Sequence, residues 1–240
     1  MGTLVVVRHG QASLFAADYD ELSPRGQDQA GLLGAHLRAH GPHPDLVFTG
    51  PAKRQRDTAR LCGVAYVGAG QPWPEVRLVP EIDEHDAFAM VSKVVPAMRN
   101  DPEIHALAER ASAAVDHGQR SAGFQRLFEA VMRRWLAGEI DAQAAGIETW
   151  PAFGARVARG LDRILAHDGP GVRLLAFTSV GPLAVMLQRA LGTSDLDAFR
   201  TAWRIRNASV TTFVFRGSHF TLDSFNALPH LPDASTWTHR

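Results

Sequence analysis

Short apolar runs alternate along the chain with longer stretches whose apolar residues recur at helical spacing. Residues 3–7 and 46–49 are mainly apolar and rich in β-branched side chains, which is typical of short strands buried on both faces. Between them, Ser23 and Pro24 form an N-cap followed by proline at the first helical position, and the helix is predicted to end before Gly41. Further strands are expected at 76–79, 172–177, 209–215 and 220–225, and further helices at 52–61, 150–166, 182–191 and from Ser194 towards Arg204.

The region from residue 87 to 146 has a different character. It is rich in alanine, shows helical periodicity and contains no good strand pattern. On either side of it, strands alternate with helices, which is typical of a largely parallel sheet with helices on both faces. The sequence therefore predicts one three-layer α/β/α domain over residues 1–240, with 87–146 as a helical insertion over the C-terminal edge of the strands.

In a mostly parallel sheet, ligands bind beyond the carboxyl ends of the strands. The loops after the first strand and after 172–177 are therefore expected to carry the functional site. The first loop begins Arg8-His9-Gly10-Gln11. Arginine presents a planar fork that matches phosphate oxygens, a neutral imidazole can attack phosphorus, and glycine allows the backbone to approach a ligand. If this loop binds a phosphoryl group, Gly10 and Gln11 are expected to belong to the substrate-binding surface. The alternative is that the loop is an ordinary surface loop in which an arginine and a histidine are adjacent by chance.

A second polar element follows the strand at 46–49. It reads TGPAKRQRDTA over residues 49–59 and leads into the next helix. Free amides at a helix N-terminus bind anions. Arg54 lies about one turn into this helix and is expected to point back to the same pocket, whereas Lys53 and Arg56 are more typical of a solvated helix face.

Taken together, these motifs resemble the histidine phosphatase superfamily, also called phosphoglycerate-mutase-like. The resemblance rests on Arg-His-Gly after the first strand and Pro-x-x-Arg-x-x-x-Thr-Ala after the second, and it covers the chain to about residue 86 and again over 150–225. It implies that His9 is the nucleophile that becomes phosphorylated. It also implies that Arg8 and Arg54 bind the phosphoryl oxygens.

A general acid is needed to protonate the leaving oxygen of a phosphate ester. The resemblance places this acid after the third strand, where the chain offers Glu81 and Glu84. We favour Glu84, because a polar pair follows it and the helical region begins shortly beyond, and we keep Glu81 as the alternative. Either residue could instead be a solvated loop carboxylate.

The chain departs from the family pattern after the strand at 172–177. The family usually has His-Gly there, and this second histidine helps to stabilise the transferring phosphoryl group. The chain reads TSVGP over 178–182, so that Ser179 stands in the place of the histidine. A serine hydroxyl donates one hydrogen bond without positive charge, and loss of one such stabilising donor typically costs about 3–4 kcal/mol. Phosphate binding is expected to persist, while catalytic strength is expected to fall.

Other polar residues are weaker candidates for the site. His85, His219 and His230 are possible stand-ins for the missing histidine, although a lone histidine is more often structural or exposed. Asn207, just before the strand at 209–215, resembles a family feature. We assign it to the substrate site as part of a supporting turn rather than as a reactive group.

Composition argues against several other classes of protein. Lys plus Arg and Asp plus Glu number 25 each, which argues against a nucleic-acid-binding protein with its usual basic excess. The one cysteine, Cys62, excludes an intrachain disulfide and suits a reducing, cytoplasmic location. No apolar run is long enough to span a bilayer, and the first residues do not form a signal peptide. The scattered histidines lack metal-ligand spacing, so neither a metal nor a cofactor is expected.

The sequence supports three functions in order of preference. The first is a metal-independent phosphatase that acts on a small phosphomonoester through a phosphohistidine. The second is a binding or regulatory protein for a phosphorylated ligand with little turnover, and the reason for it is Ser179. The third is a mutase of the phosphoglycerate type. The helical region could bind a second anionic group of the substrate through three arginines, Arg110, Arg133 and Arg134. The alternative is that these arginines form an ordinary solvated helix surface.

Overall fold

The structure, a computed structural model, describes residues 1–12, 20–113 and 117–239. Residues 13–19 of the loop predicted after the first strand lie outside the described residues. Within the described part, the chain forms two compact units. The first consists of Met1–Glu84 together with Arg156–Arg240, and the second is His85–Ala155.

The first unit is built on a sheet to which the described residues contribute six strands. These are β1 (Gly2–Arg8), β2 (Leu46–Thr49), β3 (Val76–Leu78), β4 (Arg173–Thr178), β5 (Val210–Arg216) and β6 (His219–Ala227). Their order across the sheet is β3-β2-β4-β1-β5-β6, and the first four run parallel while β5 and β6 are antiparallel to their neighbours. The predicted α/β class with a mostly parallel sheet is confirmed.

The helices begin close to the predicted positions. Along the described residues they are α1 (Pro24–His40), α2 (Lys53–Val67), α3 (Ala87–Ala89), α4 (Val95–Ala97), α5 (Pro102–Ser112), α6 (His117–Leu136), α7 (Ala142–Ala145), α8 (Trp150–Leu165), α9 (Val180–Leu191) and α10 (Asp195–Ala202). The Ser23 hydroxyl caps α1 by accepting from the Gly26 amide at 3.0 Å, as the sequence predicts. Helix α2 continues beyond its predicted end at residue 61, because its buried face extends through Cys62 and Tyr66.

Both faces of the central strands are buried. On one face, Val7 of β1 and Leu175 of β4 pack in a cluster with Leu33 of α1 and Ala59 of α2. Successive strand residues point to opposite faces, and Leu174, on the other face, is equally buried. Full burial of each such aliphatic side chain contributes roughly 1.5–3 kcal/mol. The sheet is therefore a firm base for the loops that leave its strand ends.

The second unit contains α3 to α7 and the first residues of α8, and its centre is aromatic. The ring centroid of Trp135 lies 5.3 Å from that of Trp150 and 5.6 Å from that of Phe153. The Trp135 Nε1 donates to the Glu148 carbonyl at 2.7 Å, so the polar atom of the buried indole is satisfied. Residues 87–146, for which the sequence predicts helices, lie within this unit.

Two arginines of the second unit, Arg133 and Arg134, are bound by local carboxylates. Arg134 donates to Asp101 Oδ2 at 2.7 Å and to Glu103 Oε2 at 2.8 Å. Arg133 donates to Glu103 Oε1 at 2.7 Å, while Arg110 is exposed on α5. These pairs connect α6 to the start of α5, so the charges of Arg133 and Arg134 are already balanced inside the unit.

Candidate active site

The ends of three parallel strands bring the predicted loops together. Arg8 lies opposite Thr178 in the pairing of β1 with β4, and the His9 amide donates to the Thr178 carbonyl at 2.9 Å. The end of β2 joins them, because the Gly50 amide donates to the Phe177 carbonyl at 3.1 Å. The segments after β1, β2 and β4 therefore meet at one edge of the sheet, where parallel sheets bind their ligands.

The loop after β1 lies in a narrow space between α1 and α2. A Cβ atom added at Gly10 would lie 2.4 Å from the Gly26 carbonyl oxygen at the start of α1. The Gly10 amide donates to Thr58 Oγ1 at 3.1 Å, and this hydroxyl donates to the Arg54 carbonyl at 2.7 Å. Glycine is therefore required at position 10 for close approach of the backbone, and Thr58 of the Thr-Ala motif anchors the loop to α2.

The hydrogen bonds of His9 define its tautomer. Its Nδ1 lies 2.7 Å from the Gly10 carbonyl oxygen, and a carbonyl oxygen only accepts, so Nδ1 carries the ring proton. The Arg54 Nε donates to His9 Nε2 at 3.2 Å, which requires a lone pair on Nε2. The imidazole is therefore neutral, with the lone pair of Nε2 accepting from Arg54.

The surroundings of His9 favour this neutral form. Burial lowers its pKa well below the ordinary value of 6.5, and the positive charges of Arg54 and Arg8 lower it further. The Gly10 carbonyl and the Glu84 carboxylate act in the opposite direction and raise the pKa, but they do not outweigh burial and the two arginines. The ring therefore remains unprotonated, and able to attack an electrophile, at neutral pH.

Arg54 is held at the start of α2 by a carboxylate that the sequence did not identify. Its Nη1 lies 2.6 Å from Asp20 Oδ1, and the Lys53 amide donates to Asp20 Oδ2, also at 2.6 Å. The sequence predicts an anion at these helix amides, and in this structure Asp20 supplies one. Nothing in the aperiodic loop around Asp20 distinguishes it from other polar residues, so no sequence signal could have found this contact.

Arg8 is buried at the end of β1, directly before His9. Its Nη1 donates to the Ile205 carbonyl in the segment that leads to β5. Its charge lies close enough to lower the His9 pKa. The structure thus brings Arg8, His9 and Arg54 into one site, as the sequence predicts, and their contacts with a phosphoryl group stay a prediction.

Asn207 and Gln11 support the backbone of the loop. The Asn207 Nδ2 donates to the His9 carbonyl at 3.3 Å, and its Oδ1 accepts from Thr238 Oγ1 at 2.9 Å. The Gln11 Oε1 accepts from Ser23 Oγ at 3.0 Å. Asn207 therefore fixes His9 through its main chain, in agreement with a supporting turn. The role of Thr238, far along the chain, has no signal in the sequence.

The two candidate acids occupy different environments. Both carboxylate oxygens of Glu84 accept from the Gly181 amide at 3.1 Å, at the N-terminus of α9, and the charge of Glu84 reaches His9. The Glu81 oxygens instead accept from Arg163 Nη1 on α8 at 2.7 and 2.8 Å. The structure therefore brings Glu84 to the site and pairs Glu81 with an arginine elsewhere on the surface.

Ser179 is fully buried at the end of β4, immediately before α9. Its Oγ accepts from Gln55 Nε2 at 2.7 Å, and Gln55 is also fully buried. Sequence reasoning identified Ser179 but passed over Gln55, although the latter lies inside the quoted motif directly after Arg54. The available signal was that Gln55 is polar but lies on the helix face whose other residues are buried, which is typical of a buried polar residue with a specific partner.

The three alternative histidines lie in other surroundings. His85 stacks among aromatic rings of the second unit, with its centroid 5.3 Å from that of Trp135. His219 is exposed at the start of β6. The ring of His230 lies 6.3 Å from that of His36 on α1. None of these contacts connects a histidine to His9.

The described residues contain neither a metal-binding cluster nor a membrane-spanning helix. Over 1–12, 20–113 and 117–239, no group of three or more His, Cys, Asp or Glu side chains is arranged to hold a metal ion. Within the same ranges, no helix is both long and apolar enough to cross a membrane. The described site is therefore formed by arginines, a histidine, a carboxylate and hydroxyl or amide groups.

Comparison with known sequences identifies the family. The sequence model of the histidine phosphatase superfamily (branch 1) matches residues 4–90 and 103–228, which is most of the chain and includes much of the predicted insertion. The chain belongs to the histidine phosphatase superfamily, and the resemblance seen in its motifs is confirmed. A 2,3-bisphosphoglycerate-dependent phosphoglycerate mutase of Thermobifida fusca (strain YX) is 33% identical over 99 residues. This match spans 39% of each of the two proteins.

Solved structures with the same fold include both phosphatases and mutases. A phosphoserine phosphatase mutant of Entamoeba histolytica, solved with phosphoserine, has a TM-score of 0.62 and 18% identity, covering 96% of this chain and 100% of that one. A phosphoglycerate mutase from Bacillus anthracis has a TM-score of 0.61 and 20% identity, covering 95% and 94% of the two chains. At these identities the likeness establishes the fold alone.

Proposed function

We propose that the protein is a phosphatase that hydrolyses a small phosphomonoester through a phosphohistidine formed on His9. The observation that supports this most directly is the state of the His9 ring. Its Nδ1 donates to the Gly10 carbonyl and its Nε2 lone pair faces Arg54. A neutral imidazole with a defined lone pair is a nucleophile, and a neighbouring arginine attracts the anionic group that it attacks.

The reaction has two steps. In the first, the His9 Nε2 lone pair forms a bond to phosphorus while the bond from phosphorus to the ester oxygen breaks. The Glu84 carboxylate, which takes up the proton of the monoanionic ester as it binds, gives this proton to the leaving oxygen. In the second, water attacks phosphorus, passes its proton to the Glu84 carboxylate and displaces the His9 nitrogen. Inorganic phosphate and the starting enzyme result. His9 keeps its Nδ1 proton throughout, so the Gly10 carbonyl stabilises the positive charge that the ring gains.

Arg8 and Arg54 hold the non-bridging oxygens in this proposal. Arginine forms charge-assisted hydrogen bonds to phosphate that are stronger than neutral ones. Asp20 already binds Arg54 Nη1, so an incoming phosphoryl group competes with this carboxylate for the guanidinium. Ligand binding is therefore expected to move Asp20 away from Arg54.

Hydrolysis is favoured over transfer to a second acceptor. A mutase must keep its phosphoenzyme intact until it returns the phosphoryl group to another oxygen. The replacement of the family's second histidine by Ser179 removes a cationic stabiliser from the site, which suits transfer to water better than a long-lived intermediate. Part of the sequence matches a phosphoglycerate mutase, so the reaction products must also be analysed for phosphoryl transfer to a second acceptor.

The proposal is tested by hydrolysis of 4-nitrophenyl phosphate with a chelator present. The wild type is expected to release phosphate and nitrophenol in equal amounts, while His9→Ala is expected to be inactive although folded. A variant that kept wild-type activity without His9 would contradict the mechanism. Transfer of phosphate to an added alcohol in preference to water would favour the mutase.

The general acid is tested by comparing Glu84→Gln with Glu81→Gln. An amide at position 84 cannot give a proton to the leaving oxygen, so kcat for an alkyl phosphate is expected to fall by about 10²–10⁴-fold. The loss should be smaller for 4-nitrophenyl phosphate, whose leaving group needs less protonation. Glu81→Gln removes only a surface pair with Arg163 and is expected to leave kcat nearly unchanged. The reverse pattern would assign the acid to Glu81.

A second candidate function is binding of a phosphorylated ligand with little turnover, and Ser179 is the observation that favours it. This function predicts thermal stabilisation by phosphate without measurable product. The variant Ser179→His separates the two functions: a large gain in activity from an inactive wild type would support binding, whereas brisk wild-type turnover with no gain would rule it out.

A further inference from the structure

A buried amide next to Arg54 is not used by the proposed mechanism. Gln55 is completely buried on the first turn of α2, and its Nε2 donates to Ser179 Oγ at 2.7 Å. The backbone leaves a tight space for this side chain, since a Cβ atom added at Gly50 would lie 2.1 Å from Gln55 Oε1. The Gln55 amide thus occupies a fitted position between the ends of β2 and β4.

The orientation of this amide is fixed by its other end. Its Oε1 accepts from the Ala52 amide at 3.3 Å, so the NH₂ group must face Ser179. An NH₂ group only donates, so Ser179 Oγ is the acceptor of this bond. The hydroxyl therefore keeps its own proton for a different partner.

That proton has no acceptor in the described part of the chain. The Gln55 bond is the one side-chain hydrogen bond that Ser179 makes among residues 1–12, 20–113 and 117–239. The neighbouring hydroxyl is already occupied, because Thr178 Oγ1 donates to the Ile82 carbonyl at 2.6 Å. A fully buried hydroxyl with an unused proton costs free energy unless a ligand accepts it. The Thr178 carbonyl accepts from the His9 amide. Ser179 is the next residue in the chain and therefore lies close to the proposed nucleophile.

We propose that Gln55 is a positioning residue that holds the Ser179 hydroxyl as a hydrogen-bond donor to an oxygen of the bound phosphoryl group. This inference rests on the proposed function of the site. The donor relay runs from the Ala52 amide to Gln55, from Gln55 to Ser179, and from Ser179 to the ligand. Gln55 and Ser179 then act together in place of the family's second histidine, supplying a fixed neutral donor.

The two residues are expected to act as one unit. Ser179→Ala removes the donor and is expected to lower kcat by about 10²–10³-fold, with a smaller effect on KM, because the hydrogen bond strengthens as charge develops on the oxygens. Gln55→Met keeps the length of the side chain but releases the hydroxyl to rotate, and a loss of about tenfold is expected. In the Ser179→Ala background, Gln55→Met should have no further effect, because the hydroxyl that it positions is gone.

The direction of the hydrogen bond gives a second test. Gln55→Glu keeps the size of the side chain and an acceptor for the Ala52 amide, but its carboxylate accepts from Ser179 and withdraws the proton from the ligand. The loss is expected to equal or exceed that of Ser179→Ala, and to disappear in the Ser179→Ala background. A loss that persisted undiminished there would show simple charge repulsion and would overturn the proposal. Gln188→Glu, at a half-buried position on α9, is the control for the added charge.

The deciding experiment is calorimetric titration of inorganic phosphate into the four members of the Gln55→Met and Ser179→Ala cycle, with melting temperatures measured alongside. Phosphate binding does not require turnover, so a wild type that binds phosphate but does not hydrolyse esters would refute the proposed function and still test this inference. Non-additive losses of affinity support the relay. Fully additive losses, or a wild type that does not bind phosphate, overturn it.

Discussion

Two buried histidines of the same unit show how differently one side chain can be held. His9, after β1, has both ring nitrogens in defined hydrogen bonds, to Gly10 and Arg54. His230, after β6, is also buried, but neither of its nitrogens has a hydrogen-bond partner in the described residues. Burial lowers the pKa of both, in the case of His230 to about 4. A depressed pKa is therefore common to both histidines, and the fixed tautomer beside arginines is what supports the proposed role of His9.

The cause of each pKa shift sharpens this difference. For His9, the positive charges of Arg54 and Arg8 add to the effect of burial. For His230, the additional cause is another histidine, His36, whose ring lies 6.3 Å away. The arginines would also bind an anionic substrate, while His36 lies on α1 and stacks on His40. The positive charges around His9 therefore support the proposed ligand site, and no such charges cause the shift at His230.

The largest predicted effect separates the two histidines by activity. His9→Asn removes the nucleophile, and kcat is expected to fall by about 10⁴-fold or more. His230→Asn is expected to leave kcat within a few-fold of the wild type. Steady-state hydrolysis of one aryl phosphate by both variants measures the two effects. An equal loss of kcat in both would contradict the distinction between the two histidines.

Arg54→Met is expected to remove both a phosphate contact and one cause of the low His9 pKa. The kcat/KM should fall by about 10²–10³-fold, as for loss of one strong transition-state donor. The His9 pKa should rise, because the positive charge that opposes imidazolium formation is gone, but burial should still hold it below 6.5. Histidine titration by NMR measures this rise.

The neighbouring Arg56→Met is the matched control for Arg54. Arg56 is exposed on the same helix, and its removal should change neither kcat/KM nor the His9 titration. If both arginine variants moved the His9 pKa equally, the contact between Arg54 and His9 would not be its cause.

His230 is expected to contribute to the loss of stability in acid, alongside His9, whose pKa is also lowered. The folded pKa of His230, about 4, lies below the ordinary 6.5, so the unfolded chain takes up a proton first as the pH falls. The free energy of unfolding should therefore be unaffected above pH 6.5 and fall between 6.5 and 4, by up to about 3 kcal/mol from this group. In His230→Leu the part of this slope that comes from His230 should vanish and the part from His9 should remain, whereas His219→Asn at an exposed position should keep the whole slope. Urea unfolding at several pH values measures the slope, and identical slopes in both variants would contradict the assignment.

Asp20→Asn should have the smallest effect, and in the opposite direction. The amide oxygen can still accept from the Lys53 amide at the start of α2, but the charge that competes for Arg54 is lost. Phosphate affinity is expected to increase about three- to tenfold, in line with removal of one partly exposed ion pair. Calorimetric titration with phosphate checks this, and weaker binding would mean that Asp20 helps to hold the ligand.

The sequence predicts those parts of the site that depend on strand ends and helix spacing. The apolar runs of β1 and β2 predict strands of one parallel sheet, and the carboxyl ends of parallel strands lie at the same edge. Arg54 and Thr58 share a helix face because they are at positions i and i+4. Hydrophobic periodicity also located the helices outside residues 87–146, although it ended α2 six residues too early.

Contacts between distant loops could not be predicted from the sequence. Asp20 and Thr238 contact the site residues through side chains whose directions depend on tertiary packing, not on local pattern. The same is true of the two acids. Glu81 and Glu84 are three residues apart, and only the ion pair with Arg163 and the α9 amide at Gly181 distinguish them.

The central claim is that His9 Nε2 accepts a phosphoryl group. The most direct measurement is rapid mixing with an aryl phosphate, quenching in alkali, in which a phosphohistidine survives, and locating the added phosphoryl group by mass spectrometry of peptides. The account predicts a phosphoryl group on His9 that forms and decays within a turnover, and none on His230. Turnover without any phosphorylated His9, or a phosphoryl group on another residue, would contradict it.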